Sequence, residues 1–89
     1  MKKAIHIRVH GRVQGVGFRY HTRAKALEYG IAGFVKNLPD GSVYIEAEGE
    51  EAPLEMFILW VSKGPSWAHV NKTDTTTAPL SGFENFEIY

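Results

Sequence analysis

An α+β fold of the ferredoxin-like type, with elements in the order βαββαβ, is what the 89-residue sequence predicts. Three observations carry it. Stretches in which apolar and polar residues alternate are interspersed with two stretches of helical period. Glycines and a Leu-Pro-Asp-Gly turn punctuate the boundaries between them. No repeat, linker or low-complexity segment divides the chain, so residues 1–89 read as a single domain with one core. Two right-handed crossovers then place both helices on one face of an antiparallel sheet of four to five strands, an α/β sandwich.

The elements follow in order. In AIHIRVH, Ile5, Ile7 and Val9 alternate with His6, Arg8 and His10, the period of a half-buried strand. After GRVQGVGFR (11–19), the run FRYHTRAKALEYG places Tyr20, Ala24 and Leu27 at i, i+4 and i+7 as the predicted buried stripe of a helix. Gly30 stands where a left-handed residue commonly closes one. IAGFVKN and SVYIEAEG flank the turn LPDG and form a hairpin. In its second strand Val43, Ile45 and Ala47 alternate with outward Tyr44, Glu46 and Glu48. In EAPLEMFILWVSKG, Pro53 suits a first helical position, Leu54, Ile58 and Val61 form a stripe, and Gly64 closes the segment. One or two strands end the chain, in WAHVNKTD and NFEIY, separated by the turn-rich TTTAPLSG.

Composition narrows the function classes. The hydrophobic fraction of 44% and aromatic fraction of 12% are those of a globular chain. No apolar run approaches the roughly 18 residues of a membrane span, and the alternating N-terminus is not a signal peptide. Without cysteine there is no disulfide framework, thiolate metal site or nucleophilic thiol, which fits a reducing, cytoplasmic setting. His6 and His10 share a strand face but lie roughly 13 Å apart at about 3.3 Å per residue, too far for one metal ion. His21 and His69 have no ligand spacing either, so neither a metal nor a cofactor is expected. Trp60 and Trp67 read as packing residues. Net charge is zero, yet residues 1–36 hold eight Lys and Arg against Glu28, and the remainder holds Lys63 and Lys72 against nine acids. A basic, glycine-bearing N-terminal half suggests an anion site. The rival reading is that the halves interleave in space and the charges only solvate the surface.

The stretch GRVQGVGFR concentrates the functional signal. A loop from a strand to a helix N-terminus aims backbone N–H groups and the positive end of the helix dipole at one point. Gly15 and Gly17 remove the Cβ atoms that would keep the backbone off an anion, and Arg19 can close the pocket with a two-pronged contact. No Gly-Lys-Ser/Thr follows, and Tyr20 stands at the place of the third glycine of a dinucleotide fingerprint, so nucleotide binding is disfavoured. Taken alone, Arg19 could equally be a solvated helix residue, and Asn37 a turn former before LPDG.

GRVQGVGFR followed by GFVKNLPDGSV resembles the paired signature of acylphosphatases, echoed further by GPSWAHV and the C-terminal FEIY, and the likeness covers nearly the whole chain. The resemblance implies a hydrolase that converts a small-molecule acyl phosphate and water into a carboxylate and inorganic phosphate, without metal or cofactor. It implies Arg19 as the phosphate-binding arginine and Asn37 as the residue orienting the attacking water. Val13, Gln14, Gly15, Val16, Gly17 and Phe18 become the backbone cradle, with the Gln14 side chain bracing the loop instead of touching substrate. Phe34 stands where a tryptophan is common and Lys36 where an arginine is frequent. Phosphate, or sulfate in its place, is then an inhibitor, and the chain is expected to be a free-standing monomer with no nucleic-acid or membrane partner. The alternative is a non-catalytic single-stranded RNA binder of the same element order. Against it, the outward positions of the third strand carry one aromatic and two carboxylates, where bases and phosphates need aromatics and cations.

Overall fold

The computed structural model describes residues 1–89. Five strands and two helices follow one another as β1 (Lys2–Arg12), α1 (Phe18–Tyr29), β2 (Ala32–Asn37), β3 (Val43–Glu50), α2 (Glu51–Lys63), β4 (His69–Ala78) and β5 (Phe86–Ile88). The sheet order is β4-β1-β3-β2-β5. Strand β1 pairs antiparallel with β3 and β4, and β2 antiparallel with β3, but β5 lies parallel to β2. The sheet is therefore mixed, not wholly antiparallel. A short edge strand entering from a long connection can take either direction, and three residues of sequence do not specify which. No helix is long and apolar enough to cross a membrane.

The alternation in β1 and β3 builds the core directly. Ile7 stands opposite Ile45 and Val9 opposite Val43, with Val35 of β2 opposite Ile45, and all five side chains are buried. Leu54, Phe57 and Val61 of α2 and Phe18 and Ala26 of α1 belong to the same buried cluster, which Phe86 of β5 joins edge-on to Phe57. At roughly 1.5–3 kcal/mol per large apolar side chain removed from water, these residues hold the helices on the sheet.

Four sequence expectations shift. The buried face of α1 is Phe18, Thr22 and Ala26, whereas Tyr20 and Leu27 are 69% and 55% exposed. The helix is weakly apolar and offers two competing stripes, and Phe18, which packs on Trp60 at 6.1 Å between ring centroids, selects the other one. Helix α2 begins at Glu51, so Pro53 sits third, still within the turn whose N–H groups need no helical partner. Strand β4 runs through Thr75–Thr77 into the stretch that reads as turn-rich, because β-branched threonines pair well opposite Ile5 and Ile7 on an edge strand. Trp67 is 79% exposed and is not a packing residue.

Glu48 also departs from its outward, solvated expectation. It is buried, and its carboxylate accepts N–H bonds from Ser81, from Gly82 at 3.1 Å and from Phe83 at 3.3 Å. The carboxylate thus pins the connection between β4 and β5 and sets where β5 reaches the sheet edge. Basic β1 lies against acidic β3 and α2: the Met1 amino group meets Glu50 at 2.9 Å, Lys3 meets Glu51 at 3.4 Å, and His6 meets Glu46 at 3.5 Å. The interleaving of charges is real for this part of the chain.

Candidate active site

The residues between β1 and α1 carry two left-handed glycines, Gly15 at φ 75° and Gly17 at φ 78°. Any L side chain is strained at such angles, and left-handed residues within a turn bring neighbouring N–H groups to one side. An added Cβ at Gly15 would meet nothing within 4 Å, so what glycine provides there is backbone conformation and room for a close guest. Gly17 precedes α1, no side chain caps that helix, and no residue of its first turn is acidic. Its first N–H groups and the positive end of its dipole are consequently met by no capping or acidic side chain of the helix.

A pocket of about 300 Å³ opens at this point, lined by Val13, Gly15, Gly17, Phe18, Arg19, Tyr20, Asn37 and Ile88. Arg19 donates from Nη1 to the Tyr89 carbonyl oxygen at 2.7 Å and pairs with no acidic side chain. The remaining guanidinium donors are free. Four residues on, Arg23 donates from Nε to the Phe86 carbonyl at 3.1 Å, so the two arginines hold α1 beside β5. Asn37 is the last residue of β2, and its Oδ1 is buried without a hydrogen-bond partner. A buried amide oxygen costs free energy unless something donates to it, which suits a water or ligand at this place.

Gln14 and Val16 do not line the pocket. Val16 packs against the core, and Gln14 donates from Nε2 to the Leu38 and Ser42 carbonyls, at 2.8 Å each. The turn that receives it is braced internally: Asp40 accepts from Ser42 N at 2.9 Å and from Ser42 Oγ at 2.5 Å, and these bonds hold the Asp40 carboxyl below its ordinary pKa. Phe34 and Lys36 lie outside the pocket too. Phe34 packs on Tyr44, Phe83 and Tyr89, with the Lys36 ammonium 5.9 Å from its ring centroid. Two lining residues carry no signal of this role in the sequence. Tyr20 fits the stripe of a helix equally well, and Ile88 becomes a wall only through the parallel docking of β5. A second hollow, of about 340 Å³, lies between Lys25, Glu28, Trp60 and Trp67. It offers no helix N-terminus, and the Glu28 carboxylate opposes an anion there.

A strand-to-helix glycine loop, an uncapped helix N-terminus and an arginine that pairs with no acidic side chain meet at one pocket of a ferredoxin-like fold. Comparison with known proteins narrows this further. The acylphosphatase family model matches residues 5–88. The acylphosphatase of Archaeoglobus fulgidus is 52% identical over 85 residues, covering 96% of each chain, and that of Thermotoga maritima is 49% identical over 86 residues, covering 97% of this chain and 96% of its own. The crystal structure of acylphosphatase from Bacillus subtilis superposes with a TM-score of 0.95 at 41% identity, covering 100% of this chain and 99% of that one. The chain belongs to the acylphosphatase family.

Proposed function

We propose that this enzyme hydrolyses the carboxyl–phosphate bond of small acyl phosphates, with the backbone of residues 13–18 and Arg19 holding the phosphoryl group and Asn37 orienting water. The observation that supports the reading is convergence: the two halves of the paired signature, far apart in sequence, line one pocket around a helix N-terminus. Water adds to phosphorus, the bond to the carboxyl oxygen breaks, and the carboxylate departs with the electron pair. That leaving group has a conjugate acid of pKa about 4 to 5, so no general acid is required. The transferring group spreads negative charge over its equatorial oxygens, where the guanidinium and N–H dipoles act more strongly as the transition state forms. Asn37 offers an acceptor and donors without a charge that would repel the dianion. No carboxylate or imidazole lines the pocket, so the water proton passes to a phosphate oxygen of the substrate. The cysteine-free composition suits a cytoplasmic setting.

The test separates the two roles. Asn37→Ala is expected to cut turnover of benzoyl phosphate at least about 100-fold, near 3 kcal/mol of barrier, while competitive inhibition by phosphate stays within about threefold. Arg19→Ala is expected to weaken phosphate inhibition as well. A folded Asn37→Ala protein that keeps more than about a tenth of normal turnover, a loss below 1.4 kcal/mol, refutes the water-orienting role.

A further inference from the structure

We infer that Gln14 is a positioning residue: its side chain clamps the phosphate loop to the segment that carries Asn37 and so sets the attacking water against the phosphoryl group. The inference rests on the water-orienting reading of Asn37. Sheet order creates the need. Strands β1 and β2 are not neighbours, since β3 runs between them, with Val9 and Asn37 both standing opposite Val43. The loop leaving β1 therefore shares no backbone ladder with the end of β2. Gln14 spans the gap. Both N–H bonds of its Nε2 are used, one on Leu38 O, immediately after Asn37, and one on Ser42 O, immediately before β3. These carbonyls form the neck of the turn, where Leu38 N also donates to Ser42 O at 2.9 Å and Gly41 N to Leu38 O at 3.1 Å.

The geometry suits this task better than general bracing. Two carbonyl acceptors fix which end of the amide faces them, because only the nitrogen can donate. Gln14 is flanked by buried Val13, so the loop has one solid footing, and the amide gives it a second at Asn37. In-line displacement is sensitive to such placement, and a misplacement of about 1 Å can cost about 100-fold in rate.

Gln14→Met keeps the volume and removes both donors. Turnover is expected to fall at least about tenfold, with phosphate inhibition within about threefold of normal, since the loop N–H groups and Arg19 remain. The deciding measurement is a double-mutant cycle on kcat. If Gln14 acts through Asn37, then Gln14→Met introduced into Asn37→Ala lowers kcat less than about twofold. An equal loss in both backgrounds, unchanged turnover, or phosphate affinity lost in step with turnover overturns the inference while leaving Asn37's own role standing. Persistent turnover in Asn37→Ala alone overturns both. Should Gln14→Met not fold, Asp40→Ala, which releases Ser42 from the other side, carries the same cycle. A loss of at least about threefold that disappears with Asn37→Ala supports the clamp, and any other result refutes it.

Discussion

Replacing Arg19 by lysine isolates what the guanidinium does beyond its charge. In the structure one terminal nitrogen is already committed to the Tyr89 carbonyl at 2.7 Å, and the other donors remain for the phosphoryl oxygens. A lysine ammonium is a single point on a flexible stem. If it holds Tyr89 it deserts the anion, and if it meets the anion it cannot present two parallel bonds. Losing one or both charge-assisted bonds to the anion, at about 1.5 kcal/mol each, raises the barrier by about 1.5–3 kcal/mol, or roughly 10- to 100-fold in kcat/KM. The cost to folding is small, because the Tyr89 contact is exposed and such substitutions stay within about 0.5 kcal/mol.

The assay is phosphate release from benzoyl phosphate, accompanied by thermal melts and by Arg23→Lys as a control. Arg23 lies on the same helix and also binds a β5 carbonyl but does not line the pocket, so its rate is expected within about twofold of normal. An Arg19→Lys enzyme within tenfold of normal kcat/KM would refute the two-pronged contact. Equal losses in both variants would instead show that the arginines matter only for seating β5.

Three further outcomes follow from the same structure. Excess chelator should leave the rate unchanged, because the pocket presents no carboxylate or imidazole to a hard cation; activity lost in chelator and restored by magnesium refutes the mechanism. Sulfate should compete with substrate, and Gly15→Ala should weaken its inhibition by straining the left-handed cradle; a variant with unaltered inhibition places the anion elsewhere. Burial, aided by the Glu46 carboxylate that accepts its hydroxyl at 2.7 Å, pushes the Tyr44 pKa up to about 12. The folded state then binds this proton more tightly than the unfolded chain, so Tyr44's contribution to stability is whole below pH 10 and is lost as pH rises toward 12. Absorbance titration should show one late tyrosine that vanishes in Tyr44→Phe, and titration of all tyrosines together would contradict this.

Much of the site was legible because its signal is local. Glycines at 15 and 17 before a helical run ask for left-handed backbone wherever the chain goes, and both take it. Ile5, Ile7 and Val9 alternate as a strand does and are buried as one. What stayed hidden depends on partners distant in sequence. Tyr20 or Phe18 could each have anchored α1 until the position of Trp60 decided between them. Glu48 reads as a solvated strand residue because the three N–H groups that bury it come from residues 81–83. Ile88 became a pocket wall, and Gln14 a link to the turn, only when the order of the strands was set.

The charge asymmetry of the sequence shows how a correct count can point loosely. Eight basic residues in the first 36 suggest an anion site, but antiparallel pairing brings β1 against acidic β3, where Lys2 stands opposite Glu50, and Lys3 reaches Glu51 at the start of α2. Lys25 likewise meets Glu28 on its own helix at 3.5 Å. Exposed pairs of this kind add little stability, about 0–1 kcal/mol each, yet they neutralise the field that the count implied. Arg19 differs in position and not in charge. It stands in the first turn of α1, which holds no acidic residue, beside N–H groups that no side chain caps. An anion placed there would meet a guanidinium, backbone dipoles and a helix end at once, a convergence that a diffuse basic surface does not offer.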